Sequence, residues 1–294
     1  MRGDKHTIIF ALPGNEDFAG RLAEHLDVET GEADFRSFPD DESFVRVLSE
    51  VRDKTAIAVC SLHHPNEQIM PLFFLGKTLK DLGAKNICLI APYLGYMRQD
   101  KAFSEGEAIT SKYFAELTCS FADRIVTADP HLHRRSDLSE IYSIDSKTVH
   151  AAEHISRWIK ENLTGPVLIG PDSESEQWVR EVAELAEAPF TVLEKTRHGD
   201  RDVSISVPKI GEYRDRTPVL VDDIISTART MIETIGHLKK LEMKPAVCIG
   251  VHAVFAGTAF QDLLDAGAMR VATCNTIPHV TNEIDISDLF AASI

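Results

Sequence analysis

The chain lacks any apolar run near the roughly 20 residues that a membrane-spanning helix needs. Its first apolar stretch, Thr7 to Leu12, breaks at Pro13-Gly14-Asn15-Glu16-Asp17, too short and too soon acidic for a secretory leader. Cysteines are few: five, an odd number with no C-x-x-C pair, which excludes a disulfide framework and a cysteine zinc site. Cys60 and Cys88 sit in the apolar runs Ala56-Ile57-Ala58-Val59-Cys60 and Ile87-Cys88-Leu89-Ile90, where a thiol acts as a small buried hydrophobe. There is no G-x-G-x-x-G, no G-x-S-x-G and no H-E-x-x-H, so the usual marks of dinucleotide oxidoreductases, serine hydrolases and zinc peptidases are missing. Positive charge is also scarce. Against 46 Asp and Glu stand 31 Lys and Arg, a formal charge of −15 that repels polyphosphate backbones at long range. These absences predict a soluble cytoplasmic protein with no nucleic-acid and no membrane partner. A small anionic ligand stays open, provided cations, helix N-termini or a divalent metal gather locally.

What is present is an ordinary globular composition, 44% hydrophobic and 26% charged over 294 residues, long enough for two domains. Short β-branched runs such as Asn86–Ala91, Pro166–Gly170 and Arg270–Cys274 alternate with longer amphipathic stretches such as Glu67–Leu82 and Thr227–Leu241. Near-continuous apolar strands between helices predict parallel sheets covered on both faces. The expected fold is α/β, two doubly wound domains with mainly parallel sheets. The division falls at 1–147 and 148–294, with the C-terminal tail able to pack back on the first domain. In such sheets ligands bind at the carboxyl ends of the strands, so the polar residues just after each strand carry the functional information.

Two motifs are decoys. Gly76-Lys77-Thr78 mimics the end of a P-loop, but the required first glycine is Pro71 and the surroundings read as an apolar helix. His63-His64 has no companion that would complete a metal site and reads as a pair of polar loop residues.

The sharpest signal runs from Pro218 to Met231. An apolar strand leads into Asp222-Asp223, then the hydroxyl-rich turn Ser226-Thr227-Ala228-Arg229-Thr230, then an amphipathic helix. Unpaired N–H groups and the helix dipole make such a turn an anion site. Two acids beside it are repulsive unless they accept hydrogen bonds from sugar hydroxyls on the same ligand. A phosphate and a diol together describe a pentose 5-phosphate. The plain reading is an N-cap by Ser226 or Thr227.

This segment is similar to the phosphoribosyl pyrophosphate binding motif, and the chain from Thr7 to Asp288 resembles the ribose-phosphate pyrophosphokinase (phosphoribosyl pyrophosphate synthetase) family. Phe38-Pro39-Asp40-Asp41-Glu42 resembles the loop that reaches a neighbouring subunit's adenine, and Tyr96-Met97-Arg98-Gln99-Asp100-Lys101 the ATP-binding R-Q-D segment. Asp129-Pro130-His131 resembles the segment that holds Mg²⁺ and nucleotide phosphate. Asp172 matches the acid of the P-D segment, Lys195-Thr196-Arg197 the K-x-R of a catalytic loop, and Asn275-Thr276-Ile277-Pro278 the family's N-T-I-P.

The resemblance implies transfer of the diphosphoryl group of Mg-ATP to the 1-hydroxyl of ribose 5-phosphate, giving phosphoribosyl pyrophosphate and AMP. It implies Lys195 and Arg197 as catalytic cations, and Phe38, Asp40, Glu42, Arg98, Gln99, Lys101 and His131 at ATP. It places Asp129, His131 and Asp172 at Mg²⁺, and Asp222, Asp223, Ser226, Thr227, Ala228, Arg229 and Thr230 at ribose 5-phosphate. It further implies a homo-oligomer, at least a dimer, with an inter-domain active site shared between subunits. Read without it, Glu194 to Asp202 is a solvated charged run, Arg98 a surface cation paired with Asp100 or Glu105, Phe38 a core residue, and Asp40 and Glu42 a turn before the strand Phe44-Val45-Arg46-Val47.

Two departures stand out. Ala228-Arg229 replaces the family's usual glycine pair, which removes close backbone approach and adds a guanidinium. Ser173-Glu174-Ser175 replaces the glycines after Asp172 and adds negative charge. A non-catalytic regulatory paralogue and a phosphoribosyltransferase are the alternatives. The Arg98-Gln99 and Lys195/Arg197 segments favour the kinase, since a transferase needs no ATP site.

Overall fold

The computed structural model describes residues 6–132, 135–171, 175–197, 203–206 and 210–294, with the side chains of 194–197 and 203–206 excepted. One compact unit comprises Met1–His150, Thr276–Pro278 and Ser287–Ile294; the other comprises Ala151–Asn275 and His279–Ile286.

The first unit is built on β1 (Thr7–Ala11), β2 (Glu29–Thr30), β3 (Ala33–Ser37), β4 (Ser43–Val47), β5 (Thr55–Val59), β6 (Asn86–Ala91), β7 (Arg124–Ala128) and β8 (Asp145–Val149). Its helices are α1 (Glu16–Leu26), α2 (Pro65–Asp81) and α3 (Thr110–Cys119). Six strands form a parallel sheet in the order β2-β1-β5-β6-β7-β8, while β3 and β4 make a separate antiparallel hairpin. The central strands are buried almost throughout, whereas β2 is exposed and β8 alternates. That is the pattern expected where helices cover both faces of the middle of a parallel sheet and leave its margins partly wet.

The second unit repeats the arrangement with β9 (Pro166–Gly170), β10 (Phe190–Val192), β11 (Glu194–Arg197), β12 (Val203–Ser206), β13 (Thr217–Ile225), β14 (Val247–Ala253), β15 (Arg270–Cys274) and β16 (Asn282–Ile284). Its helices are α4 (Ala152–Asn162), α5 (Glu176–Leu185), α6 (Arg229–Lys240) and α7 (Ala259–Ala266). The sheet order is β10-β9-β13-β14-β15-β16, again parallel throughout. β11 and β12 pair as an antiparallel ribbon. The order reverses between β9 and β13, the position at whose carboxyl ends open sheets of this kind bind ligands. The last helix, α8 (Ser287–Ala291), belongs to the first unit and packs on α1, with Phe18 and Phe290 edge to face at 5.3 Å.

The doubly wound, mainly parallel α/β expectation holds in both units. All five cysteines are free. Burial pushes the thiols of Cys60, Cys88 and Cys248 up to about 12, so they serve as core side chains. Among the described residues no helix is long and apolar enough to cross a membrane.

The P-loop mimic is helical packing. Gly76 lies inside α2 against the fully buried Phe121, and a Cβ there would stand 2.5 Å from the ring. Lys77 donates to the Ser120 carbonyl at 2.8 Å. Alanine at 76 gains about 1 kcal/mol of helix propensity. Overpacking a ring with nowhere to go costs about 1–3 kcal/mol. Gly76→Ala is therefore expected to lower stability by about 1 kcal/mol, measured as a reduced urea midpoint; an increase would show that the α2–Phe121 approach has room for a methyl group.

Candidate functional site

In the first unit the predicted residues leave the ends of neighbouring strands. After β6 the chain turns at Tyr96, whose φ of 61° lies in the left-handed region. Its ring packs 4.9 Å from Phe114 and its hydroxyl bonds to Asn66. Met97 is buried next to it, which turns the following Arg98 outward to an exposed position. Gln99 is half-buried and accepts from the Ser111 amide of α3 at 3.3 Å. Lys101 is exposed, its ammonium 5.1 Å from the Phe103 ring centre. Arg135, beyond β7, donates to the Asp100 carbonyl at 3.3 Å and ties the two strand-end segments together.

Asp129 and His131 follow β7 directly, both half-buried. Asp129 adopts φ 31°, unusual for a residue with a side chain, and its amide continues the sheet ladder to the Val149 carbonyl at 3.0 Å. Its Oδ1 lies 2.9 Å from Nδ1 of His150, a residue the sequence reading did not select. The only available signal was a histidine just after Asp145–Val149, a strand too polar to be recognised from its pattern.

Phe38, Asp40 and Glu42 occupy the tip of the β3–β4 hairpin, closed by bonds between Phe38 and Glu42 (2.8 Å) and between Asp41 and Phe38 (3.0 Å). All three are exposed, Phe38 at 44%, which corrects the core reading of that ring. The ring packs edge to face on Phe44 of the same hairpin, 6.1 Å between centroids, and stays outside the core. Arg36 stacks 4.1 Å over Phe44 and 5.7 Å from Phe38, holding the aromatic cluster on one face. The sequence alone read only a turn before a strand here.

His63 and His64 form the turn into α2, their rings 4.6 Å apart. Nδ1 of His63 meets the Ser61 carbonyl at 3.0 Å, and burial lowers its pKa, partly offset by that bond. The reversal point of this sheet, between β1 and β5, is filled by the protein's own groups. Asn15 accepts from the Ser61 amide at 2.7 Å, and the Ser61 hydroxyl donates to the Thr276 carbonyl at 2.6 Å.

In the second unit β13 continues to Ile225, past the Val221 end expected from hydropathy, so both acids lie on the strand. Both acids are half-buried near the end of this strand. Each also accepts the next amide, Asp223 N–H to Asp222 at 3.0 Å and Ile224 N–H to Asp223 at 2.7 Å. Ser226 is half-buried and Thr227 exposed in the turn, and Phe255 and Ala256 beyond β14 brace it through the Ile225 and Ser226 carbonyls. Ala228 is the N-cap of α6 with φ 56°, so this alanine takes the left-handed conformation in which glycine is unstrained. No side chain caps the helix. Arg229 and Thr230 occupy its first two positions, where amides lack intrahelical partners; Arg229 is exposed. The turn thus presents hydroxyls, helix-end amides and a guanidinium on one short segment, in the crevice where this sheet's order reverses.

Lys195 and Arg197 lie on β11, a strand where the sequence predicted a loop; their side chains are outside the described residues. Paired to β12, the segment gains ladder bonds that its charged composition does not advertise. Asp172, with the Ser173-Glu174 departure, also lies outside the described residues. Asn275 of the N-T-I-P segment is a staple. Its side chain donates to Asp285 at 2.7 Å and accepts from the Ile286 amide at 3.0 Å.

Two parallel doubly wound units, the second with an anion-type turn at its switch point, define an α/β protein of the phosphoribosyltransferase type. Residues 7–121 match the family model described as the N-terminal domain of ribose phosphate pyrophosphokinase, and residues 139–290 match the phosphoribosyl transferase domain. The ribose-phosphate pyrophosphokinase 2 of Archaeoglobus fulgidus is 33% identical, the match covering 97% of this chain and 99% of that one. The ribose-phosphate pyrophosphokinase of Methanothermobacter thermautotrophicus is 32% identical, with 97% and 98% covered. The crystal structure of phosphoribosylpyrophosphate synthetase from Mycobacterium smegmatis superposes with a TM-score of 0.83 at 26% identity, covering 98% of this chain and 97% of that chain. The chain belongs to the ribose-phosphate pyrophosphokinase family and is an enzyme of that class, a kinase of nucleotide biosynthesis. Membership is consistent with a divalent-metal requirement and with ATP and ribose 5-phosphate as substrates.

The left-handed alanine makes a prediction of its own. L-residues in this conformation cost about 1–2 kcal/mol, and glycine returns somewhat less through its looser unfolded chain. Ala228→Gly is expected to raise stability by up to about 1 kcal/mol in equilibrium urea unfolding, while Ala228→Val lowers it.

Proposed function

We propose that this chain transfers the β,γ-diphosphoryl group of Mg-ATP to the 1-hydroxyl of ribose 5-phosphate. The hydroxyl oxygen forms a bond to Pβ as the bond from Pβ to the oxygen bridging to Pα breaks. AMP keeps that oxygen and the hydroxyl proton is released. The observation that carries this reading is the β13–α6 turn, in a chain of this family: unpaired amides and hydroxyls for a phosphate, two carboxylates for a diol.

In this reading Ser226, Thr227, Ala228 and Thr230 hold the 5-phosphate through hydroxyl and amide donors, and the exposed Arg229 adds a charged contact. Asp222 and Asp223 accept from the ribose hydroxyls. Arg98, Gln99, Lys101 and His131 bind the nucleotide's phosphates and flank. Phe38, Asp40 and Glu42, displayed at a hairpin tip, serve the adenine of a second copy of the chain, which makes the enzyme a homo-oligomer of at least two subunits. Lys195 and Arg197 neutralise charge on the transferring group, the main catalytic need of a reaction whose barrier is set by positioning and electrostatics.

The donor set fits Mg²⁺. Asp129 offers a carboxylate oxygen on a fixed backbone, and Mg²⁺ commonly binds through one or two carboxylates together with substrate phosphates. Asp172 is the second proposed ligand; His131, a nitrogen donor, suits a phosphate better than this hard cation. Asp129 and Asp172 would hold the metal, which would supply charge neutralisation for the transferring group. Buried, free thiols suit the reducing cytoplasm, the proposed location.

Mixing the protein with Mg-ATP and ribose 5-phosphate is expected to yield AMP and phosphoribosyl pyrophosphate in equal amounts; no AMP from folded protein would refute the reading. Lys195→Ala is expected to lower kcat by about a hundredfold or more, the scale of one lost electrostatic donor. Arg229→Gly is expected to raise KM for ribose 5-phosphate about tenfold, the worth of a charge-assisted bond, with kcat little changed; an unchanged KM removes Arg229 from the phosphate site.

A further inference from the structure

We propose that His150 is a positioning residue for Asp129: its imidazole holds the carboxylate that serves the metal-nucleotide complex in one orientation. The inference rests on the assignment of Asp129 to that complex.

The contact follows from sheet register. β7 and β8 are parallel neighbours with Ala128 opposite Val149, so the next residues, Asp129 and His150, emerge side by side at the strands' carboxyl ends. β8 then holds Asp129 twice. The Val149 carbonyl accepts the Asp129 amide at 3.0 Å, and Nδ1 of His150 lies 2.9 Å from Asp129 Oδ1. A carboxylate oxygen facing a ring nitrogen at that distance acts as acceptor, so Nδ1 carries the hydrogen. The two side chains differ sharply in exposure, 9% for Asp129 and 66% for His150, so the ring stands at the rim and the acid lies beneath it.

Asp129 also pays for its place. A φ of 31° in a residue with a Cβ costs on the order of 1–3 kcal/mol and persists only where surrounding bonds over-determine it. Two bonds from one strand end, one to backbone and one to side chain, supply that. A carboxylate left to rotate would present its oxygens in several directions, whereas one fixed by a hydrogen bond presents the same edge at every encounter. Partners of this kind typically change metal affinity by about 10–100-fold when removed. The five strand residues before His150, Asp-Ser-Lys-Thr-Val, set only the spacing; the contact exists because the β7–β8 register is what it is.

The test uses Mn²⁺ as the probe, with ATP and without ribose 5-phosphate, so that no turnover occurs and free Mn²⁺ is read by electron paramagnetic resonance. His150→Ala is expected to weaken Mn²⁺–ATP binding about tenfold. His150→Asn, whose amide can occupy the position of Nδ1, is expected to return it to within about threefold of the parent. Asp129→Asn is the control for the underlying assignment. Loss in His150→Ala with recovery in His150→Asn supports the proposal. Unchanged binding in His150→Ala beside loss in Asp129→Asn overturns it and leaves Asp129 in place. Equal loss in both His150 variants, each with the parent's circular dichroism, overturns the hydrogen-bond account. Parent-like binding in Asp129→Asn removes the assignment itself and the proposal with it. Should His150→Ala not fold, His150→Gln, which retains bulk without a donor at the Nδ1 position, takes its place with the same expected loss.

Discussion

Two-sided burial of the parallel strands is the constraint on which the rest of this structure depends. Helices close both faces of each sheet, so β1, β5, β6, β7, β9, β14 and β15 are apolar nearly end to end. A polar group inside such a strand would have to find a partner or bear a desolvation cost of several kcal/mol. Polar chemistry is thereby pushed to the strand ends. All parallel strands deliver their carboxyl ends to one side, which is why Arg98, Gln99, Asp129 and His150 leave neighbouring strands at one edge of a single sheet.

The same constraint explains how much of the fold was legible. Central strands such as Asn86–Ala91, Pro166–Gly170 and Arg270–Cys274 stand in the structure with the limits their hydropathy indicated. The margins did not announce themselves. β2 is two exposed residues, β8 is Asp-Ser-Lys-Thr-Val, and β16 is Asn-Glu-Ile. A strand covered on one side or neither carries little apolar signal, and its existence depends on the neighbour that pairs with it. β11 is the extreme case, a charged run that composition assigns to solvent and pairing with β12 turns into a strand. The β3–β4 hairpin was half visible, as a turn before Phe44–Val47, because its first strand alternates too weakly to be recognised.

The departure at the anion turn has a local physical account. Ala228 adopts, at a cost, the left-handed conformation in which glycine is unstrained. Conformation and steric clearance are separate demands on a glycine: the alanine meets the first and adds one methyl to the second. Arg229, next in line and exposed, offers a charged donor. The neighbouring acids are likewise tolerated for reasons invisible in a linear motif. Each is engaged by the amide that follows it.

By itself the sequence determined the α/β class, the buried thiols, the rejection of the P-loop mimic and the chemical identity of the residues following the strands. Each is a property of residue type and local periodicity, which hydropathy and motif spacing encode directly. Only the tertiary structure decided that Phe38 stands exposed at a hairpin tip, that Asn275 is a staple, that the reversal point of the first sheet is filled by Asn15 and Ser61, and that His150 meets Asp129. These are consequences of register and of pairing between segments distant along the chain. Asp129 and His150, 21 positions apart, become neighbours because the backbone ladder of β7 and β8 ends with Ala128 opposite Val149.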